Sequence, residues 1–186
     1  MEDTVICLTG RSGSGKTTIA DLLYEFYGFN LIRSRTTRKP RHEGERREYV
    51  FMTEPPGSDE PGVIGWDQFN GVHYWAKRFD YKKRGISVYA IEPQGAQRLE
   101  QEIGHEAAVV IIWLEASYEA RLMRLQQESH GNDWAVQRLA RDNDGRFEGL
   151  IKCDFVYNTV NVDPESVAWD IAVEIKTNGR LGKWRK

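Results

Sequence analysis

The eight residues Gly10, Arg11, Ser12, Gly13, Ser14, Gly15, Lys16 and Thr17 constrain this chain more than any other stretch, matching G-x-x-x-x-G-K-[ST] at every fixed position. The flanks suit such a loop. Val5 to Leu8 reads as a buried strand and Thr18 to Phe26 as the helix that follows. Glycines at 10, 13 and 15 let the backbone close around a polyphosphate with its N–H groups turned inward. The helix N-terminus adds the positive end of a dipole. The pattern predicts a nucleoside triphosphate site built by Ser12, Gly13, Ser14, Gly15, Lys16, Thr17 and Thr18. Lys16 is expected to reach the β- and γ-phosphates, and the Thr17 hydroxyl to hold Mg²⁺.

Hydrophobic patterning extends this start into a fold. Strands are predicted at 4–9, near 29–34, at 49–52, 86–91, 107–114 and 153–157, and helices at 16–27, 94–103, 117–128, 134–147 and 164–176. Ala107 to Leu114 is continuously apolar, as a central parallel strand covered on both faces requires. Ser117 is a candidate N-cap. Residues 54–62 hold three prolines and two glycines and cannot be regular structure. Val63 to Ala76 carries four aromatics with a turn expected at Gly71. Strands alternating with helices predict an α/β fold: a P-loop three-layer sandwich, its parallel sheet covered by helices on both faces. The 186 residues fit a single domain.

Composition excludes more than it proposes. A net charge of −2 gives no general pull toward nucleic acid. Lys77, Arg78, Lys82, Lys83 and Arg84, interleaved with Phe79 and Tyr81, read as a solvated face as readily as a strand-binding patch. Cys7 and Cys153, both in predicted strands, are expected to be reduced thiols and not metal ligands. No apolar run approaches the ~20 residues that span a bilayer. Met1, Glu2 and Asp3 lead straight into the first strand, so no signal peptide and a cytoplasmic protein are predicted.

A phosphate loop alone does not say what is done to the phosphate. Ser34, Arg35, Thr36, Thr37, Arg38, Lys39, Pro40 and Arg41 narrow the question. The arginines are spaced by threonines and a proline, follow the first helix, and precede Gly44, Glu45 and Tyr49. Guanidinium forks bind a terminal phosphate bidentately, which suits a second phosphorylated substrate facing the loop.

These segments resemble guanylate kinases. The resemblance rests on the loop, Ser34 to Arg41, Gly44 and Glu45, Tyr49, Trp66, Gly71 to Tyr74, and Glu92 to Ala96, and covers about residues 4–176. It implies ATP-dependent phosphoryl transfer to a nucleoside 5′-monophosphate, by a monomer or homodimer. It divides the single domain 1–186 into a core (4–33, 86–122 and 148–176), an acceptor-binding region (34–85) and a lid (123–147). It assigns Ser34, Arg38, Arg41, Tyr49, Tyr74 and Glu92 to the acceptor and Asn158 to the neighbourhood of the donor base. Arg124 and Arg138 are implied as lid arginines that act on the donor phosphates beside Lys16, and a further lid arginine of the family is Glu128 here.

The departures fall on the base, not on the phosphates. Guanylate kinases read guanine with a glutamate just before the Trp and with a hydroxyl residue two positions after the tyrosine. Here these are Gly65 and Ala76. A further aspartate of the family is Ala90, and Trp75 stands where a small residue is usual, so that its indole is expected either to stack on a base or to fill the space left by a smaller one. The phosphate grip is retained while the acceptor site is reshaped. GMP or dGMP, another or modified nucleotide, and ribose bisphosphate all stay open as acceptors. A non-catalytic binding module is the alternative of another class, and the intact loop argues against it. A GTPase is disfavoured by the lack of an Asn-Lys-x-Asp motif.

Overall fold

The computed structural model describes residues 3–40, 45, 48–57, 59–69, 71–128, 132–142, 147 and 152–180. A five-stranded sheet forms the centre. Its strands are β1 (Thr4–Thr9), β2 (Asn30–Leu31), β7 (Ile86–Ala90), β8 (Ala108–Glu115) and β9 (Phe155–Asn158), in the order β2-β7-β1-β8-β9. Every pairing in it is parallel.

Period-two alternation divides the core between the two faces of this sheet. Ile6 and Leu8 of β1, with Val110, Ile112 and Leu114 of β8, pack against α1 (Lys16–Tyr27) and α5 (Pro164–Arg180) through Ile19, Leu23, Val167 and Ile171. Val5, Cys7 and Ile111 point the other way and meet α2 (Pro93–Ile103) through Leu99 and Ile103. The apolar run of β8 is therefore covered on both sides, and the three-layer α/β arrangement follows.

Local signals set the helix ends. Gly28 closes α1 in a left-handed conformation, its N–H bonded to the Leu23 carbonyl. Pro93 opens α2 at its first position. Ser117 caps α3 (Tyr118–Gln127) by accepting from the Ala120 N–H at 3.2 Å.

α4 departs from expectation, running over Asn132–Arg141 instead of 134–147. Asp142 turns out of the helix, its N–H bonded to the Leu139 carbonyl and its carboxylate drawn to the phosphate loop. Phe147 lies beyond, against Trp113. The last strand begins at Phe155, so Cys153 precedes it.

The expected strand near 29–34 is split. β2 stays in the central sheet, and after Ile32 and Arg33 the chain enters a second sheet as β3 (Ser34–Thr36). That sheet has the order β4-β3-β6-β5, with β4 at Tyr49–Phe51, β5 at Val63–Phe69 and β6 at Val72–Lys77. β3 and β4 pair in parallel, and the other pairings are antiparallel. Gly71, at φ +74°, turns β5 into β6. The second sheet packs on the first through Ile64, Ala76, Ile91 and Ile32.

Candidate active site

The loop between β1 and α1 sits at the carboxyl ends of the central strands, where open parallel sheets hold their ligands. Glycine is required here by space as well as by φ. A Cβ on Gly10 would stand 2.7 Å from the Leu114 carbonyl oxygen, and one on Gly13 would stand 2.9 Å from that of Arg121. The loop is thus wedged between the end of β8 and α3.

Lys16 folds back over the loop. Its Nζ donates to the Gly10 carbonyl at 2.5 Å and lies 4.0 Å from the Glu92 carboxylate. Burial pulls this lysine below its ordinary pKa; Glu92 works against the shift and the Arg138 charge adds to it. Arg138, on α4, is therefore within electrostatic reach of the loop, its guanidinium lying 5.3 Å above the Trp134 ring. Thr17 Oγ1 lies 3.3 Å from Glu48 Oε2. Ser14 is buried, while Thr18 is exposed on α1.

The two remaining donor-side candidates take different positions. Arg124 donates to the Gly13 carbonyl at 3.1 Å and to the Thr159 hydroxyl and carbonyl, bracing the loop against the segment after β9. Asn158 is exposed and accepts from the Val160 N–H. Its neighbour Thr159 is buried and donates to the Ser14 carbonyl at 3.1 Å.

The acceptor-side residues cluster on the second sheet. Arg38 makes a two-point fork to Glu45, at 2.8 and 2.7 Å, and stacks 4.6 Å from the Tyr49 ring centre. Burial is the largest single influence and lowers its proton affinity, but the Glu45 hydrogen bond together with the charges of Tyr49, Glu45 and Tyr74 outweighs it and the net shift is upward. Ser34 Oγ is 3.2 Å from the Tyr89 hydroxyl. Tyr74 stands opposite Thr36 in the strand register. Arg41 lies outside the described residues. Thr17, Asp21, Ser34, Glu48, Tyr49 and Ala90 line one solvent-open cleft between α1 and the second sheet. Thr17 of the donor candidates and Ser34 and Tyr49 of the acceptor candidates therefore share one cavity.

Sequence reasoning missed Arg121, Asp142 and Glu48. Arg121 pairs with Asp142 at 2.9 Å, both nearly buried. Asp142 also accepts from the Ser12 N–H and hydroxyl. The available signal was an acid at the end of a basic helix, which composition alone does not set apart.

Two curated relatives decide the family. The guanylate kinase of Aromatoleum aromaticum is 30% identical over 189 residues, covering 96% of this chain and 90% of the relative. That of Ehrlichia chaffeensis is 31% identical over 193 residues, covering 95% and 90%. The chain belongs to the guanylate kinase family. It is a nucleoside monophosphate kinase. No family model matches the chain. The crystal structure of guanylate kinase from Anaplasma phagocytophilum superposes with a TM-score of 0.59 at 18% identity, covering 95% of this chain and 86% of that one. This likeness shows the shared fold.

The guanylate kinase resemblance assigned guanine recognition to two positions that are closed here. Gly65 sits in a bulge of β5 at φ +57°, and its N–H donates to Glu102 at 2.7 Å. A Cβ there would meet Ile91 Cδ1 at 3.2 Å. Ala76 is fully buried beside Ile64 and Ile91. Of the two roles expected for the Trp75 indole, stacking on a base or filling space, its burial fits the second. Strand alternation turns it away from Tyr74 and Ala76, and it is only 2% exposed.

Proposed function

We propose that this protein transfers the terminal phosphoryl group of ATP to a guanine nucleoside 5′-monophosphate, GMP or dGMP, in the cytoplasm. The observation that carries the reading is the single cleft in which Thr17 of the phosphate loop faces Ser34 and Tyr49 of the second sheet. Residues 34–85 serve as the acceptor-binding region and 123–147 as the lid.

Two anionic substrates repel each other, and the site has to neutralise them, align them and exclude water. Loop N–H groups from Gly13 to Thr18 cradle the donor phosphates. Lys16 leaves the loop carbonyls for phosphate oxygens, and Arg138 and Arg121 approach from the lid side to spread the charge of the transferring group. Arg124 keeps the loop in shape through the Gly13 carbonyl. Arg38, Arg41, Tyr49, Tyr74 and Ser34 hold the acceptor phosphate, whose oxygen is already anionic and needs no general base. Glu92 steadies Lys16, and Asn158 borders the donor base.

The hard oxygen of the Thr17 hydroxyl, on the first turn of α1, suits Mg²⁺. When bound with ATP, the ion neutralises charge on the β- and γ-phosphates.

A second reading, a kinase for another or a modified nucleotide, is favoured by one observation: neither Gly65 nor Ala76 presents a polar side chain to a base. An acceptor screen separates the two. ADP release is followed with each ribo- and deoxyribonucleoside monophosphate and with ribose bisphosphate. Turnover with GMP or dGMP supports the first reading; turnover with only another monophosphate supports the second. Silence across the panel, with ATP still bound, overturns the first reading and favours a modified nucleotide or a non-catalytic role.

A further inference from the structure

The oxygen chemistry around Thr17 reaches further than the phosphate loop itself. Thr17 Oγ1 donates to Glu48 Oε2 at 3.3 Å. Glu48 directly precedes β4 and so belongs to the second sheet, not to the central one. The two side chains come from opposite walls of the cleft.

Loops of this kind pair their hydroxyl ligand with a carboxylate near the end of a neighbouring central strand. Here the acids at and just beyond those strand ends have other partners. β7 ends in Ala90, which lines the same cleft. β8 ends in Glu115, whose carboxylate accepts from the Trp113 indole N–H at 2.5 Å. Glu92 faces Lys16, and Asp142 is engaged by Arg121 and Ser12. The carboxylate that does stand at the Thr17 hydroxyl is Glu48. Asp21, one helical turn after Thr17, lines the same cleft and deepens its negative potential.

We propose that Glu48 is the protein carboxylate that, with Thr17, holds the Mg²⁺ carried by ATP, so that the metal ties the acceptor-binding sheet to the donor loop. The inference rests on the kinase reading above. The distance fits, since adjacent oxygens around Mg²⁺ with bonds of 2.0–2.1 Å stand about 3 Å apart. The ligand number fits as well. Mg²⁺ that arrives on a nucleotide needs only one or two protein oxygens, because phosphates and water complete its shell. The consequence is mechanistic. A metal held from both walls draws the acceptor sheet toward the donor phosphates only when the metal–nucleotide complex is in place.

The test measures metal binding, not turnover. Mn²⁺ replaces Mg²⁺, a non-hydrolysable ATP analogue replaces ATP, and the free-Mn²⁺ paramagnetic resonance signal is titrated in wild type, Glu48→Gln and Thr17→Ala. Glu48→Gln is expected to weaken Mn²⁺ binding to the protein–analogue complex by at least about tenfold, the loss that removal of even an outer metal contact brings. It should leave metal-free analogue binding unchanged or tighter. Glu48→Asp should recover part of the loss, a result that a merely structural role does not give. If Thr17→Ala weakens Mn²⁺ and Glu48→Gln does not, the assignment of Glu48 is overturned while the kinase reading stands. If neither variant changes Mn²⁺ affinity, the reading of the loop as a metal–nucleotide site falls with it. Thermal unfolding of each variant confirms that a folded protein is being compared.

Discussion

Asp142 accepts hydrogen bonds from the Ser12 N–H and the Ser12 hydroxyl, both at 3.0 Å, and so places a carboxylate on the phosphate loop. The same carboxylate takes Arg121 at 2.9 Å. Loop N–H groups and a guanidinium are the donors that a phosphate takes. Asp142 also sits just past α4, the helix that carries Arg138, so that an occupied loop and the position of this helix are mechanically linked.

Asp142→Asn should therefore bind an ATP analogue more tightly while folding less stably. Removing one member of a buried ion pair costs about 3–5 kcal/mol because the other is left uncompensated. Added nucleotide supplies new partners for Arg121 and should recover much of that loss. Calorimetric titration and thermal unfolding with and without the analogue check this. A variant that loses nucleotide affinity in step with its stability would show that Asp142 supports the loop and does not compete for it.

Lys16 and Arg38 should separate chemistry from acceptor binding. Lys16→Ala is expected to lower kcat by at least about 10²–10³-fold with every acceptor, since it removes a charge aimed at the transferring group. Arg38→Ala should raise the acceptor KM by the worth of a charged hydrogen bond, about 1.5–3 kcal/mol, with the KM for ATP unchanged. It also leaves Glu45, 3% exposed, without its fork. The double variant Arg38→Ala/Glu45→Ala separates the two effects, because it removes the stranded carboxylate while the grip stays lost. Steady-state kinetics with each substrate varied in turn decides the matter. An unchanged acceptor KM in Arg38→Ala would remove Arg38 from the phosphate grip.

The central sheet and the loop were legible because their signals are local: a glycine pattern, a continuous apolar strand, a serine cap. Of the second sheet, the strand at 49–52 and the turn at Gly71 were legible, but its assembly was not, since β3 and β4 span three residues each and their parallel pairing depends on contacts distant in sequence. The end of α4 was missed for a related reason. Nothing in the helical pattern of 134–147 reveals that Asp142 is pulled out by Ser12, a residue 130 positions away. Periodicity also could not show that Arg121 and Arg124, one turn apart on α3, divide their work. One meets Asp142 and the other braces the Gly13 carbonyl.

Cys7 should make stability fall at alkaline pH. Complete burial pushes its thiol well above the ordinary range, with Glu100 and Asp154 adding to the shift. The unfolded chain releases this proton above about pH 8.5, whereas the folded protein keeps it. The folded state then binds more protons, so its stability declines as pH rises past that value and is unaffected below it. Urea unfolding of wild type and Cys7→Ala at pH 7 and pH 10 isolates the effect. The gap between the two proteins should narrow at the higher pH, and a constant gap would refute the assignment.

Restoring a glutamate at position 65 should fail to install a guanine reader. Gly65 adopts φ +57°, where a side chain costs about 1–2 kcal/mol. Its Cβ would press on Ile91 Cδ1 at 3.2 Å, and the carboxylate would stand near Glu102, which already holds the Gly65 N–H. Ala76 gives no hydroxyl to share a base with it. Gly65→Glu is expected to lower the melting temperature by several degrees, as a loss of 1–2 kcal/mol does in a domain of this size, with no gain in kcat/KM for GMP over other monophosphates. Ala76→Ser, which adds one hydroxyl to a sealed apolar contact, should behave alike. A gain of tenfold or more in GMP selectivity from either variant would mean that the bulge at Gly65 opens when the acceptor binds, and that the base pocket is assembled only in the complex.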